Sequence, residues 1–200
     1  MITNMTQQDY IFTEDWFSGN IPVWTEALAV FQGVDNVHAL EIGSFQGRSS
    51  VWLLENILTG QGSKIDCVDT FEGSIEHTDG QKKNMLDIFL NNVSRFGGEK
   101  VRVFRGQSQA VLRKLDREET YDIIYIDGDH HAPAVLEDAV LAFPLLKQGG
   151  ILIFDDYKWA MELPELMRPA KAIDVFMEVF AEKVDLMYVG YQVIVKKRIV

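Results

Sequence analysis

The sequence predicts an α/β domain built on a doubly wound, mostly parallel seven-stranded sheet, with helices on both faces and a C-terminal antiparallel hairpin. Three features point to this class. Strand-like and helix-like stretches alternate from residue 37 onward, an order that implies a parallel sheet covered on both sides. The first strand-like run, at 37–42, passes through a turn holding Gly43 and Gly47 into a helical pattern at 50–59. Near the end, Val184–Val189 and Tyr191–Lys197 read as two strands around Gly190, a tight hairpin that adds an antiparallel strand to the sheet.

The elements follow in order. Residues 1–35 read as an N-terminal helical cap, with helical periodicity at 22–32 and Pro22 suited to a first turn. Val37, Ala39, Leu40 and Ile42 suit a buried strand, and Ser49 or Ser50 can cap the helix that follows. In that helix Val51, Leu54 and Leu58 share one face before Gly60. Further strands are expected at 64–69 (KIDCVD), 101–105 (VRVFR), 121–127 (YDIIYID) and 150–154 (GILIF). Helices are expected between them at 81–95, 108–117 and 132–147, and before the hairpin at 169–182. No linker, repeat or low-complexity segment divides the chain. Its 200 residues, 47% of them hydrophobic, bury one full core and leave little room for a second, so residues 1–200 are expected to form a single domain.

Composition removes several classes of function. A formal charge of −11 argues against a nucleic-acid partner, since phosphate-binding surfaces carry an excess of Lys and Arg. Cys67 is the single cysteine, which excludes intramolecular disulfides and cysteine-rich zinc sites. No apolar run approaches the roughly 18 residues that span a membrane, and the polar start MITNMTQQD is not a signal peptide. The expectation is a cytoplasmic enzyme with no membrane and no nucleic-acid partner; self-association into a homo-oligomer stays open.

Open parallel sheets concentrate function at the carboxyl ends of their strands. The first strand ends in Glu41-Ile42-Gly43-Ser44-Phe45-Gln46-Gly47-Arg48-Ser49. This pattern lacks the G-x-G-x-x-G of dinucleotide folds, and the Glu41 carboxylate repels phosphate while able to accept hydrogen bonds from an ammonium group or a sugar hydroxyl. A tight turn with a salt-bridged Glu41 is the plainer alternative. The second strand ends in Asp69-Thr70-Phe71, where an acid can hold ribose hydroxyls or merely cap a helix. After the third, Gly106-Gln107-Ser108-Gln109 opens a helix with side chains able to bond an adenine edge.

Strand four runs into Asp127-Gly128-Asp129-His130-His131 and strand five into Asp155-Asp156-Tyr157. Adjacent strands lie roughly 4.8 Å apart, so Asp127 and the Asp155–Asp156 pair converge if the two strands are neighbours. Carboxylates gathered without a cation suit a hard divalent ion, Mg²⁺ above all, with Ca²⁺ or Mn²⁺ as alternatives. A zinc site at His130 and His131 is disfavoured by the single cysteine and the missing H-E-x-x-H.

The Glu41–Ser49 loop resembles motif I of the class I S-adenosylmethionine (SAM) methyltransferases, which are Rossmann-like. The ordered series E-I-G-S-F-Q-G-R-S, V-D-T-F, G-Q-S-Q-A-V-L, Y-I-D-G-D-H and F-D-D-Y is similar to the metal-dependent small-molecule O-methyltransferases. Both the catechol-type and the macrocin-type branches are similar, from about Tyr10 to Lys197. The resemblance implies that Glu41, Gly43, Ser44, Gly47 and Ser49 surround the methionine part of SAM. It implies that Asp69 binds the ribose with Thr70 in the same pocket, that Ser108 and Gln109 contact adenine, and that Asp127 borders the cofactor. Asp127, Asp155 and Asp156 fall on the family's metal positions. Asp156 favours the macrocin type, since catechol-type enzymes carry Asn there. His130 stands where catechol-type enzymes place a lysine base; it is the first candidate for the base, with a metal-bound Asp127 the alternative.

The implied reaction is metal-assisted transfer of a methyl group to a hydroxyl of a small molecule, such as a sugar or natural-product hydroxyl. Candidate acceptor walls are Tyr10–Trp24, Phe71–Gly80 and Tyr157–Arg168, with Trp16, Phe17, Trp24 and Trp159 able either to stack on a ring or to cover the core. A catalytically idle SAM-binding or assembly protein is the alternative of another class. A nicotinamide-dependent oxidoreductase shares the alternating fold but is disfavoured by the missing G-x-G-x-x-G.

Overall fold

A computed structural model describes residues 10–73, 78, 82–115 and 120–199. Its strands are β1 (His38–Ile42), β2 (Lys64–Asp69), β3 (Val101–Arg105), β4 (Tyr121–Ile126), β5 (Leu146–Phe154), β6 (Val184–Val189) and β7 (Val193–Lys197). They form one seven-stranded sheet in the order β3-β2-β1-β4-β5-β7-β6. All neighbours pair in parallel except β7, which runs antiparallel between β5 and β6. The chain moves outward from β1 to β3 and then returns to β4 on the other side of β1. That reversal parts the loops above β1 and β4 and opens a crevice at their carboxyl ends.

Alternation along the strands divides the core in two. Ala39, Ile65, Cys67, Ile123 and Ile153 face one layer, covered by α1 (Ile21–Ala27), α2 (Arg48–Asn56) and α3 (Met85–Val93). Leu40, Ile42, Val68, Ile124 and Leu152 belong to the opposite layer, with α4 (Ser108–Leu112), α5 (Ala132–Ala142) and α6 (Ala170–Val179). The doubly wound arrangement expected from the sequence is therefore present, hairpin included.

Element boundaries differ where local chemistry overrides periodicity. α5 ends at Ala142 and a 3₁₀ turn, Phe143–Leu145, leads directly into β5 at Leu146. Pro144 has no N–H to continue the helix, and Leu146 pairs with Tyr121 before an irregularity restores register at Ile123↔Ile151. The strand expected at 150–154 is thus longer. The stretch expected as one helix over 22–32 divides at Leu28 into α1 and a 3₁₀ turn over Ala29–Phe31. α3 and α4 are shorter than the stretches expected at 81–95 and 108–117, of which residues 81, 116 and 117 lie outside the described part.

The N-terminal segment is latched onto α3 and the turn after β1 by side-chain amides. Asn92 of α3 accepts from the Ile11 N–H at 2.9 Å and donates back to the Ile11 carbonyl at 2.8 Å, standing in for a neighbouring strand. The same Asn92 donates to the Gln46 carbonyl, and Gln46 Oε1 accepts from the Thr13 N–H at 2.8 Å. Among the described residues no helix is long and apolar enough to cross a membrane.

Candidate active site

Gly47, with φ +81°, forms the N-cap of α2, which begins at Arg48. Ser49 and Ser50 consequently lie inside the first turn rather than capping it. Both hydroxyls donate to Glu41, Ser49 at 2.5 Å to Oε1 and Ser50 to Oε2. Glu41 is fully buried, and burial, opposed by the serine hydroxyls, raises its pKa. Its oxygens are therefore engaged within the protein, where they hold the turn against β1.

Asp69, at the end of β2, closes the other side of the same turn. Oδ2 accepts from the N–H groups of Ser44 at 2.7 Å and Phe45 at 2.9 Å, and Oδ1 from the N–H of Phe71 at 2.6 Å. Phe45 and Phe71 both take positive φ, +46° and +55°, conformations that L-residues adopt at a cost. Thr70 Oγ1 accepts from the Glu72 N–H at 3.2 Å. On the next loop Gln109 Nε2 donates to Asp138 Oδ1 of α5 at 3.0 Å, and Ser108 faces the same carboxyl. Burial pushes the Asp138 pKa up to about 7.

Both glycines of the turn are demanded by close packing within the protein. A Cβ on Gly43 (φ +85°) would lie 1.8 Å from the Asp127 carbonyl oxygen, and one on Gly47 would meet the Phe89 ring at 2.9 Å. Among the described residues the buried carboxamide nitrogen of Gln46 meets no hydrogen-bond partner, an unspent donor inside the turn. Gly43 also fixes how the two halves of the crevice meet: the β1 turn and the start of the β4 loop touch through backbone alone.

Beyond that contact the acidic strand ends gather. β4 and β5 are neighbours, with Ile126 opposite Phe154, so the sequence-predicted convergence occurs. One carboxylate oxygen each from Asp127 and Asp156 and one ring nitrogen of His130 lie within 4.8 Å of one another. His130 Nε2 sits 2.9 Å from Asp156 Oδ2, and the Trp159 ring packs edge-on against the imidazole at 4.7 Å. Two carboxylates and an imidazole form a donor set that a hard divalent cation accepts.

Asp155 is placed differently. Asp156 takes φ +58°, and the left-handed turn separates the two neighbouring carboxylates: Asp156 faces His130 while Asp155 turns back into the protein. Asp155 Oδ1 accepts from the Asp156 N–H at 2.7 Å, and Oδ2 accepts from Tyr125 and from Gln192 Nε2, the latter at 2.8 Å. The Tyr125 hydroxyl is also 2.8 Å from Asp127 Oδ2. Burial raises the pKa values of Asp127 and Asp155; Asp155 and Asp156 raise Asp127 further, and Asp156 does the same for Asp155.

The structure thus brings Asp127, His130 and Asp156 together beside the glycine turn, and holds Asp155 one layer behind. Tyr125 and Gln192 were not anticipated. Tyr125 lies within β4, whose run YDIIYI also carries Tyr121 and Asp122, and Gln192 lies in the turn before β7, so neither stands out by spacing. Of the aromatic residues considered as acceptor walls, Phe17 and Trp24 are buried in the core, whereas Trp16 is exposed against Phe45. Much of the Phe71–Gly80 wall lies outside the described residues.

Comparison with known proteins gives the family and the fold. Residues 40–157 match the family described as a methyltransferase domain. A protein of Acanthamoeba polyphaga mimivirus, itself uncharacterized, is 28% identical over 138 residues, 66% of this chain and 57% of that protein. The chain therefore spans little more than half the length of that relative. Among solved structures, an O-methyltransferase from Bacillus cereus in complex with SAH superimposes with a TM-score of 0.66 at 18% identity, covering 94% of this chain and 84% of that one. TomG, an O-methyltransferase of tomaymycin synthesis from Streptomyces achromogenes in complex with SAM, gives 0.65 at 17% identity over 90% and 79%. A caffeoyl-CoA O-methyltransferase homologue from Staphylococcus aureus gives 0.61 at 14% identity over 94% and 86%. These structures share the fold.

Proposed function

This chain belongs to the methyltransferase-domain family, and from that premise we propose that it transfers a methyl group from SAM to a hydroxyl of a small molecule with a divalent cation at the acceptor side. The observation that carries this reading is the backbone contact between Gly43 and Asp127, which sets a small-molecule turn directly against an acidic cluster. The O-methyltransferases of B. cereus and S. achromogenes share this fold with SAH or SAM bound. Asp156, where catechol-type enzymes carry Asn, supports a sugar or natural-product hydroxyl as acceptor.

SAM supplies the transferable methyl, and a divalent cation such as Mg²⁺ lowers the pKa of a hydroxyl bound beside it. The remaining work falls to the chain. The turn Gly43–Gly47, with Ser44 and Ser49, holds the methionine end; Glu41 acts from behind, keeping Ser49 and Ser50 in place. Asp69 and Thr70 serve the ribose, and Ser108 and Gln109 the adenine. Asp127 and Asp156 hold the cation. His130, oriented by Asp156 and Trp159, is the group that takes the acceptor's proton. Much of the acceleration comes from holding two substrates in line across the Gly43–Asp127 contact.

Isothermal titration should show SAM binding and no NAD binding; the reverse result overturns the cofactor assignment. Labelled SAM offered with sugar and phenolic hydroxyls should yield a methylated product that EDTA abolishes and Mg²⁺ restores. Full turnover in EDTA would remove the cation from the mechanism. His130→Gln should lower turnover by at least ~100-fold while Mn²⁺ affinity is retained, and a matching loss of affinity would make His130 a ligand instead of the base.

A further inference from the structure

Asp138, on α5, is a buried acid that the reaction outlined above does not use. It is 1% exposed. Its Oδ1 accepts from Gln109 Nε2 at 3.0 Å, and Ser108 bonds to the same carboxyl. Oδ2 is buried and meets no hydrogen-bond partner among the described residues; on that side lies Gly128, where an added Cβ would come within 3.6 Å. The main chain of α4 is anchored separately: Arg113 donates through Nη1 to the Gln109 carbonyl at 2.9 Å and through Nη2 to Glu137 of α5. The exposed pair Arg113–Glu137 thus holds the backbone, and the buried Asp138 engages the Gln109 side chain. Burying a carboxyl with one oxygen unbonded costs free energy that an apolar residue on that face of α5 would avoid; what the position gains is control of Gln109.

The carboxyl fixes which way round the Gln109 amide stands. A carboxylate only accepts, so the NH₂ end of Gln109 must face Asp138 and Oε1 must point away from it. When the carboxyl is neutral its proton belongs on Oδ2, which has no bond to give up, and Oδ1 still accepts. A flipped amide would set acceptor against acceptor at a buried oxygen. Gln109 is only half-buried, and Oε1 is the end left for a ligand.

We propose that Asp138 is a positioning residue for the nucleobase: it holds the Gln109 carboxamide with its nitrogen inward, so that Oε1 accepts from the 6-amino group of adenine and rejects a purine carrying oxygen there. This rests on the SAM reading above, in which Ser108 and Gln109 serve the adenine. An oxygen at C6 would meet Oε1 acceptor to acceptor, and turning the amide to greet it would lay Oε1 against Asp138 instead. Selectivity for the base is thereby set on α5, one layer beneath the residue that meets the cofactor.

The experiment is isothermal titration of the full chain with SAH and with its 6-oxo analogue, S-inosylhomocysteine, alongside thermal denaturation without ligand. The wild type should bind SAH more tightly by about tenfold or more, the scale of one mismatched hydrogen bond. Asp138→Asn offers Gln109 either a donor or an acceptor and so frees the amide to turn. Its affinity for S-inosylhomocysteine should rise about tenfold while its affinity for SAH changes by less than about twofold. The 6-oxo ring also carries a hydrogen on N1, but that difference is common to both proteins, and a gain in affinity does not arise from damage to the fold. Equal losses for the two ligands, or an unchanged ratio, would overturn the proposal whatever the melting temperature does. Where Asp138→Asn yields no folded protein, Asp138→Leu, which offers Gln109 neither end, carries the test: the gap between the two ligands must narrow. Failure of the wild type to bind SAH at millimolar concentration would overturn the SAM reading itself; SAH binding by a wild type indifferent to the group at C6 overturns the role of Asp138 alone.

Discussion

One buried carboxylate near the amino ends of the sheet and three at its carboxyl ends have opposite surroundings. Asp66, near the amino ends, is 1% exposed and accepts from Tyr121 at 2.7 Å and from Arg102 Nε at 3.0 Å, with His38 Nε2 at 3.2 Å. Burial pushes its pKa up, but the bonds from His38, Arg102 and Tyr121 outweigh burial and hold it at about 2. At the carboxyl ends Asp127, Asp155 and Asp156 meet a tyrosine, a glutamine and one histidine, and the pKa values of Asp127 and Asp155 rise. Residue type is alike, with Asp66 and Asp155 buried and Asp127 and Asp156 half-buried; the larger difference is whether the fold supplies the positive charge. Where it does, the cluster is structural and complete. Where it does not, the remaining attraction is available to a cation or to the proton of a reacting hydroxyl.

Exchanging a carboxylate for an amide at each end should separate the two roles. Asp127→Asn is expected to lower methyl transfer by ~100-fold or more, the scale of a lost catalytic group, while leaving SAM affinity intact and the metal-free melting temperature unchanged or higher. A stability loss as large as that of an Asp66 variant would erase the contrast. Asp66→Ala should leave SAM and Mn²⁺ binding unaltered and destabilise by about 3–5 kcal/mol, the cost of stranding buried partners, measured by urea denaturation.

The wild-type acid limb sharpens the same point. The folded pKa of Asp66 lies below the unfolded value of ~3.9, so its contribution is complete above pH ~4 and is lost as pH falls towards about 2. The loss is about 2 kcal/mol and should be missing in Asp66→Ala. Asp138, buried beside Gln109, has the opposite sign. Its folded pKa of about 7 exceeds the unfolded one, so its contribution is present below pH ~4 and disappears as pH rises to about 7. Stability should therefore decline by up to roughly 2 kcal/mol over that window once relaxation is allowed for, and Asp138→Asn should flatten the slope. An unchanged slope in that variant would show that Asp138 is already ionised.

Strand order and helix placement were readable because apolar runs of five or six residues with glycine turns leave few alternatives. Boundaries were less so. The start of β5, Leu146-Lys147-Gln148-Gly149, has the composition of a loop and becomes strand only through pairing with Tyr121. At the site, Asp127, His130 and Asp156 announce themselves as polar residues at strand ends. Nothing local distinguishes Asp155 from Asp156. Their fates part through a positive φ at Asp156 and through Gln192, 37 residues from Asp155, and such a partnership has no signature in spacing. Trp24 shows the same limit: its helical position suggested either core or pocket, and only burial against Tyr125 decides for the core.

The insertion of β7 between β5 and β6 also sets a timetable. A chain is synthesised from its N-terminus, and early segments begin to organise before later ones exist. The glycine turn and its partners Asp69, Ser49 and Ser50 are all made by residue 69. Asp155 receives its Gln192 donor only after the final hairpin has been made, and Trp24 waits across 168 positions for the same residue. A nascent chain can thus possess a formed glycine turn well before Asp155 has its full set of partners, and a chain ending short of Gln192 would never complete that set.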